Sequence, residues 1–189
     1  MIFRIIIILV CVLIFVNGCN SLISGVAGTQ KLRTMSMEEV RESGLGDADF
    51  VEITGAWSTG NYLFKPHRNA SWPGFVQWPV LDRSQLDSLE EGQQVTVKLY
   101  AWTRLYDKAC LETDECVPKG EMALKGLVRP LNKRFNMMSS FPNEQITLSD
   151  HMLFIEYNRQ PLAWYWNIVI MIGAALVAVG LERWKSNKK

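Results

Sequence analysis

From Leu162 to Leu181 the chain reads Leu-Ala-Trp-Tyr-Trp-Asn-Ile-Val-Ile-Met-Ile-Gly-Ala-Ala-Leu-Val-Ala-Val-Gly-Leu, without one formal charge. At ~1.5 Å per residue, a helix of about twenty residues crosses a hydrocarbon core, so the pattern predicts a transmembrane helix over 162–181. Pro161 marks its upstream boundary. Trp164, Tyr165 and Trp166 on one side and Trp184 on the other are placed like rings seated at the two headgroup levels. The tail 182–189 carries Arg183, Lys185, Lys188 and Lys189. The positive-inside bias assigns that tail to the cytoplasm and everything upstream of Pro161 to the other side.

A second apolar block opens the chain. Arg4 supplies a cationic start, and Ile5 to Val16 is unbroken apolar sequence, so residues 1–18 read as a signal peptide or a signal anchor. The block ends at Val16-Asn-Gly-Cys19, which resembles the bacterial lipobox. That resemblance implies a diacylglyceryl chain on the Cys19 thiol. Asn17 departs from it, since a small residue is usual there. The alternative is an uncleaved anchor that runs on through Gly28. Either route starts with the N-terminus inside and delivers the middle of the chain to the same side.

Residues 19–48 read as a tether. Ser36-Met-Glu-Glu39 fits a capping box for one or two helical turns stopped at Ser43-Gly44, without a wide apolar stripe. From Asp49 the period changes to two, and residues 49–160 form a β-domain. Phe50–Trp57, Tyr62–Phe64, Phe75–Leu81, Gln94–Thr103, Met122–Arg129 and Met152–Tyr157 read as strands, with Ile146–Leu148 marginal and Asn132–Asn143 irregular. Pro79 points to an edge strand or to an early ending of its strand, and Ser84–Glu91 to a short helix stopped by Gly92. Gly55 and Gly126 inside strands mark bulges or sharp bends. The economical fold is mainly β: a small, strongly bent or closed barrel, with a plain β-sandwich as the alternative. Leu89-Glu-Glu-Gly-Gln-Gln-Val-Thr-Val-Lys98 resembles the turn-then-strand of oligonucleotide-binding-type barrels.

Charge and composition narrow the chemistry. Across the chain 20 Lys and Arg nearly balance 19 Asp and Glu, and the outer domain is balanced likewise, so no nucleic-acid partner is indicated. Cys110 and Cys116 enclose a short polar loop; outside the cytoplasm two such thiols oxidise to a structural disulfide. His67 and His151 have no nucleophile or carboxylate that the sequence brings to them as an acid–base pair, and no hydrolase or phosphate-loop motif occurs. No catalytic residue, cofactor or metal site is assigned. Trp72 sits in a loop beside Phe75, where the two could meet the membrane interface or a partner. In the membrane helix Gly173, Ala174, Ala178 and Gly180 are small residues suited to close helix–helix contact, either self-association or docking to a membrane protein.

The overall plan, an N-terminal apolar segment, a short-stranded outer domain and a C-terminal span with a basic tail, resembles that of the SURF1-type oxidase assembly factors. Phe50-Val-Glu-Ile-Thr-Gly55, Gly126-Leu-Val-Arg129 and the final helix carry the likeness. Much of the middle departs from that family, and its heme-associated histidine signature has no counterpart here. The resemblance implies a shared plan and no particular activity. The expected function is therefore a non-enzymatic protein of the cell membrane, in a bacterial inner membrane, with its domain periplasmic or extracellular and binding or assembling a membrane partner. The alternative is an envelope enzyme or ligand-binding protein with a pocket in the barrel mouth.

Overall fold

The computed structural model describes residues 2–69, 71–106, 109–113, 115–129 and 145–186. In chain order the elements are α1 (Ile2–Ala27), β1 (Arg33–Ser36), α2 (Met37–Ser43), β2 (Phe50–Ser58), β3 (Leu63–Lys65), β4 (Gly74–Val80), α3 (Arg83–Glu90), β5 (Val95–Leu105), α4 (Cys110–Thr113), β6 (Gly120–Val128), β7 (Ile146–Tyr157) and α5 (Trp164–Ser186). They form two compact units, a pair of terminal helices and the domain Leu32–Gln160. The irregular segment expected over 132–143, the break at Pro130 and the last lysines of the tail lie outside the described residues.

In the helix unit, Phe3–Gly25 and Trp164–Leu181 are each long and apolar enough to cross a membrane. The first run continues well past Val16, and Asn17 lies within it, donating its amide to the Leu13 carbonyl at 3.0 Å. Helix α1 thus passes through Cys19 without a break. Gly18 faces Met171 while Ser21 meets Asn167, so the two helices pack antiparallel. Cys11, Gly18, Asn167 and Ala174 are buried, whereas Leu13, Val16, Ile172, Leu176 and Val177 are exposed. Leaving apolar side chains outward is unfavourable in water and neutral in hydrocarbon.

The second unit is one seven-stranded mixed sheet in the order β1-β2-β6-β7-β5-β4-β3, with β1–β2 and β5–β7 parallel. The sheet is open, with β1 and β3 at its edges, so the closed barrel expected from the sequence does not form. Among the described residues a two-sheet sandwich does not form either, since all seven strands share one sheet. Strong bending is present. Trp57 and Leu81 exchange backbone hydrogen bonds of 2.8 and 2.9 Å, although β6, β7 and β5 stand between their strands in the ladder. The sheet must curl on itself for these residues to meet.

Several local features are those the sequence predicts, with two differences of physical cause. Gly55, at φ 70°, sits in the register shift between Ile53 and Ala56, a bulge that turns Ala56 inward. Gly126 marks no bulge; a Cβ there would collide with the Glu156 carbonyl oxygen and the Ile155 side chain, so the requirement is close strand approach. Pro79 is not on an edge strand, because β4 lies between β3 and β5. It pairs with Tyr100 beyond the three residues that β3 covers, so its missing N–H costs no ladder bond on that side. The marginal Ile146–Leu148 run and Met152–Tyr157 are one strand.

The tether is shorter than expected. Ser36 does cap α2, its hydroxyl accepting the Glu39 N–H at 3.1 Å, but β1 pairs with β2 and Met37, Val40, Leu45 and Ala48 are buried in the domain core. Arg33 also reaches Asp47 at 2.6 Å, and that hydrogen bond holds the Asp47 carboxyl below its ordinary range. The main core joins these residues to Val51, Ile53, Trp78, Leu99, Ala101, Leu124 and Ile155. A second cluster gathers Leu81, Leu86, Val97, Tyr100 and Ile146.

Tyr100 is fully buried, and its hydroxyl has no hydrogen-bond partner among the described residues. Burial disfavours the phenolate and pushes the ionisation well above the ordinary 10.0. The folded value lies above the unfolded one, so this contribution to stability is intact below the unfolded value and is lost as pH rises past it. Urea midpoints should fall on raising the pH from about 8 to about 11. Tyr100→Phe should flatten that dependence; an equally steep fall in Tyr100→Phe would locate its origin elsewhere.

Candidate functional site

Three places in the chain gather chemistry. The first is a cleft of about 430 Å³ lined by Ser36, Met37, Glu38, Arg41, Thr54, Gly55, Trp57, Asp82, Arg83, Ser84 and Glu121. Helix α2, the bulge of β2 and the start of α3 build it. Asp82 anchors the cleft: its Oδ1 accepts from the Gln85 N–H and the Ser84 hydroxyl, both at 2.7 Å, while Gln85 returns a bond to the Asp82 N–H. This is a complete capping box, which explains why α3 starts here. The other oxygen, Oδ2, accepts from Arg41 at 2.8 Å, and the carboxylate is almost fully buried. Arg83 lies 4.9 Å over the Trp57 ring and 3.0 Å from Asp87. Both guanidinium groups thus already have anionic or aromatic partners, leaving Glu38 and Glu121 as the other charges on the walls. Such a cleft is held together by its own ion pairs rather than prepared for an anion.

The second is the end of the β-domain where β4 starts and β5 finishes. Cys110 and Cys116 are joined by a disulfide with Cα atoms 4.9 Å apart, as the sequence predicts. Trp72 and Phe75 separate. Trp72 is 61% exposed and stacks on His67, with ring centroids 5.4 Å apart. Phe75 is half-buried beside Trp102 at 6.1 Å. Nearby, the buried Glu156 carboxylate takes Arg129 at 3.3 Å and Arg104 at 3.9 Å. That cluster has no sequence signal, because its members come from β5, β7 and the residue after β6.

The third is the helix pair. Its four small residues divide between two sides of α5. Ala174 is buried and Ala178 half-buried on the side of Asn167, while Gly173 and Gly180 are exposed with nothing within 4 Å of where a Cβ would stand. Asn167 is buried and donates to the Ser21 hydroxyl at 3.0 Å. Gly18, the small residue of the lipobox-like stretch, has a second use: a Cβ there would strike the Met171 side chain. Cys19 is a free, half-buried thiol. Among the described residues no group of His, Cys, Asp and Glu is placed to hold a metal ion.

Compared with models of known protein families, with curated proteins and with solved structures, the chain matches none. Its functional reading therefore comes from its own geometry.

Proposed function

We propose that the protein is a non-enzymatic, membrane-anchored envelope protein whose extracytoplasmic β-domain binds or helps assemble a membrane partner. In this reading α1 and α5 span the bilayer as an antiparallel hairpin. Both termini lie on the cytoplasmic side with the basic tail, and the domain 32–160 lies outside. Retention of α1 is favoured over cleavage and lipidation at Cys19. Cleavage there would remove Cys11 and Gly18, two buried residues of the helix pair. The domain is read as a partly open barrel of the oligonucleotide-binding type. Support comes from the order β2-β6-β7-β5-β4, its parallel β5–β7 pair, and the Trp57–Leu81 bridge linking the first of these strands to the chain beyond the last.

The observation that carries the partner is the uncovered side of α5. Gly173 and Gly180 stand seven residues apart, hence on one face, and each leaves open space where a side chain would be. A foreign helix can approach that backbone closely, and in lipid such packing is a main source of association. Purification of the full chain in mild detergent, followed by mass spectrometry, tests the reading. A stoichiometric membrane protein should accompany the wild type and fall roughly tenfold in Gly173→Leu/Gly180→Leu, the loss of about 1.4 kcal/mol of association. Ala174→Leu should instead disturb the protein's own helix pair. Unchanged recovery in the glycine variant sinks the docking face, and an intact mass matching acylated residues 19–189 sinks the retained first span.

A further inference from the structure

We infer that the described residues of the β3–β4 loop, 66–69 and 71–73, together with Tyr106, form a contact with the phospholipid headgroup layer, favouring anionic headgroups. The inference rests on the membrane-spanning reading of α5. Of the large hydrophobic side chains in the described part of the domain, Trp72 and Tyr106 are the two exposed ones, at 61% and 74%. They are far apart in sequence, yet each lies just beyond the same end of the β4–β5 pair. Gly74 opens β4 directly opposite Leu105 near the end of β5, so Trp72 and Tyr106 both follow from that same rung. Isolated exposed aromatics need no explanation; two at one corner, with every other large apolar side chain among the described residues of the domain at least half covered, do.

Register says which end of the sheet this corner occupies. Strand β7 runs parallel to β5, with Glu156 opposite Trp102, so the chain leaves β7 at Tyr157 heading the way that Leu105 and Tyr106 head. Strand β4 runs the other way, and its start at Gly74 is therefore at this end too. Residues 158–163 then connect Tyr157 to α5, a stretch that spans no more than about 25 Å even when fully extended. Once α5 is in the bilayer, the corner bearing Trp72 and Tyr106 is held within reach of the headgroups.

Chemistry fits the same occupant. Tryptophan and tyrosine are the side chains that settle at the interface, with an apolar body and a polar edge. The hairpin from Tyr62 to Leu81 carries Lys65 and Arg68 and contains no Asp or Glu. Cations beside an interfacial ring add attraction to anionic lipids. The loop is also pre-shaped: the Asn69 N–H donates to His67 Nδ1 at 3.1 Å, the Ser71 N–H donates to Asn69 Oδ1 at 3.0 Å, and the His67 ring backs Trp72. Little ordering entropy is left to lose when the ring enters the interface.

The test uses full-length protein in phosphatidylcholine vesicles, with and without phosphatidylglycerol, containing lipids brominated near the headgroup. Subtracting the emission of Trp72→Phe from that of wild type isolates Trp72. What remains in the variant comes from the other tryptophans, including Trp164 and Trp166 at the start of α5. The Trp72 difference should lose most of its intensity to the bromines and be shielded from aqueous iodide, more strongly with phosphatidylglycerol. If it stays bright with bromines and open to iodide while the remaining emission is quenched, the loop faces water or another protein. The inference is then overturned with the anchor intact. Equal quenching in both vesicles removes the anionic preference. If the remaining emission is also untouched by bromine, the spanning reading fails and takes the loop contact with it.

Discussion

Trp78→Ala is expected to lower the stability of the β-domain by about 3–5 kcal/mol, the range for deleting a large aromatic from a packed core. Trp78 is 0% exposed and projects from β4 into the main cluster, where its ring meets Tyr157 edge-on at 5.5 Å. Its cross-strand neighbour on β5 is Ala101, too small to fill the space that the indole would leave. The strands around it are tied into one curled sheet, so collapse of the cavity would require moving β4 against β5. Trp78→Phe should cost clearly less, for a reason beyond its smaller volume change. The indole N–H is buried with no hydrogen-bond partner among the described residues, and phenylalanine removes that donor. Urea unfolding of the full chain in mild detergent, followed by near-ultraviolet circular dichroism, would measure both. A loss under about 1 kcal/mol for Trp78→Ala would show that this side of the sheet is not the core.

What the sequence made legible follows from the range of the interaction involved. Strand positions could be read because alternation is a two-residue property: Val95, Val97, Leu99 and Ala101 announce one face of β5 by themselves. The same holds for the Ser36 cap and for the Cys110–Cys116 bridge, whose partners lie close in sequence. The open sheet was not legible. Whether the ends of a curled sheet close into a ladder or touch at the single pair Trp57–Leu81 depends on register accumulated across the intervening strands. The burial of Met37 and Val40 was missed because two apolar residues three apart make no stripe; only the docking of β1 on β2 turns them inward. The Asn167–Ser21 bond joins residues 146 apart, and no local pattern marks it. Tyr100 and Trp102 alternate with Leu99 and Ala101 along β5, and both are buried, so the second face of that strand is covered as well.

Gly126 and Gly55 look alike in sequence, each an interior glycine of a strand, and the structure makes them opposites. Gly55 adopts φ 70° with open space around it, so Gly55→Ala meets a backbone penalty of about 1–2 kcal/mol and no collision. Gly126 is buried and has no left-handed backbone, but β7 passes directly over it. An added Cβ would press on the Glu156 carbonyl and on Ile155, and backbone cannot swing aside as a side-chain tip can. The β6–β7 ladder is short, pairing Gly126 with Tyr157, Leu127 with Glu156 and Val128 with Ile155. Prising it open would also draw Glu156 away from Arg129. Gly126→Ala should therefore lose about 3 kcal/mol by overpacking, and Gly126→Val more, enough to leave little folded domain. Expression of the full chain, with folding judged by the same urea transition and by resistance to proteolysis, makes the comparison direct. Crowding predicts that Gly126→Val is far worse than Gly126→Ala, whereas at Gly55 both are limited by the dihedral. Should Gly126→Ala be as mild as Gly55→Ala, then β7 does not cross β6 at the distance on which the middle of this sheet depends.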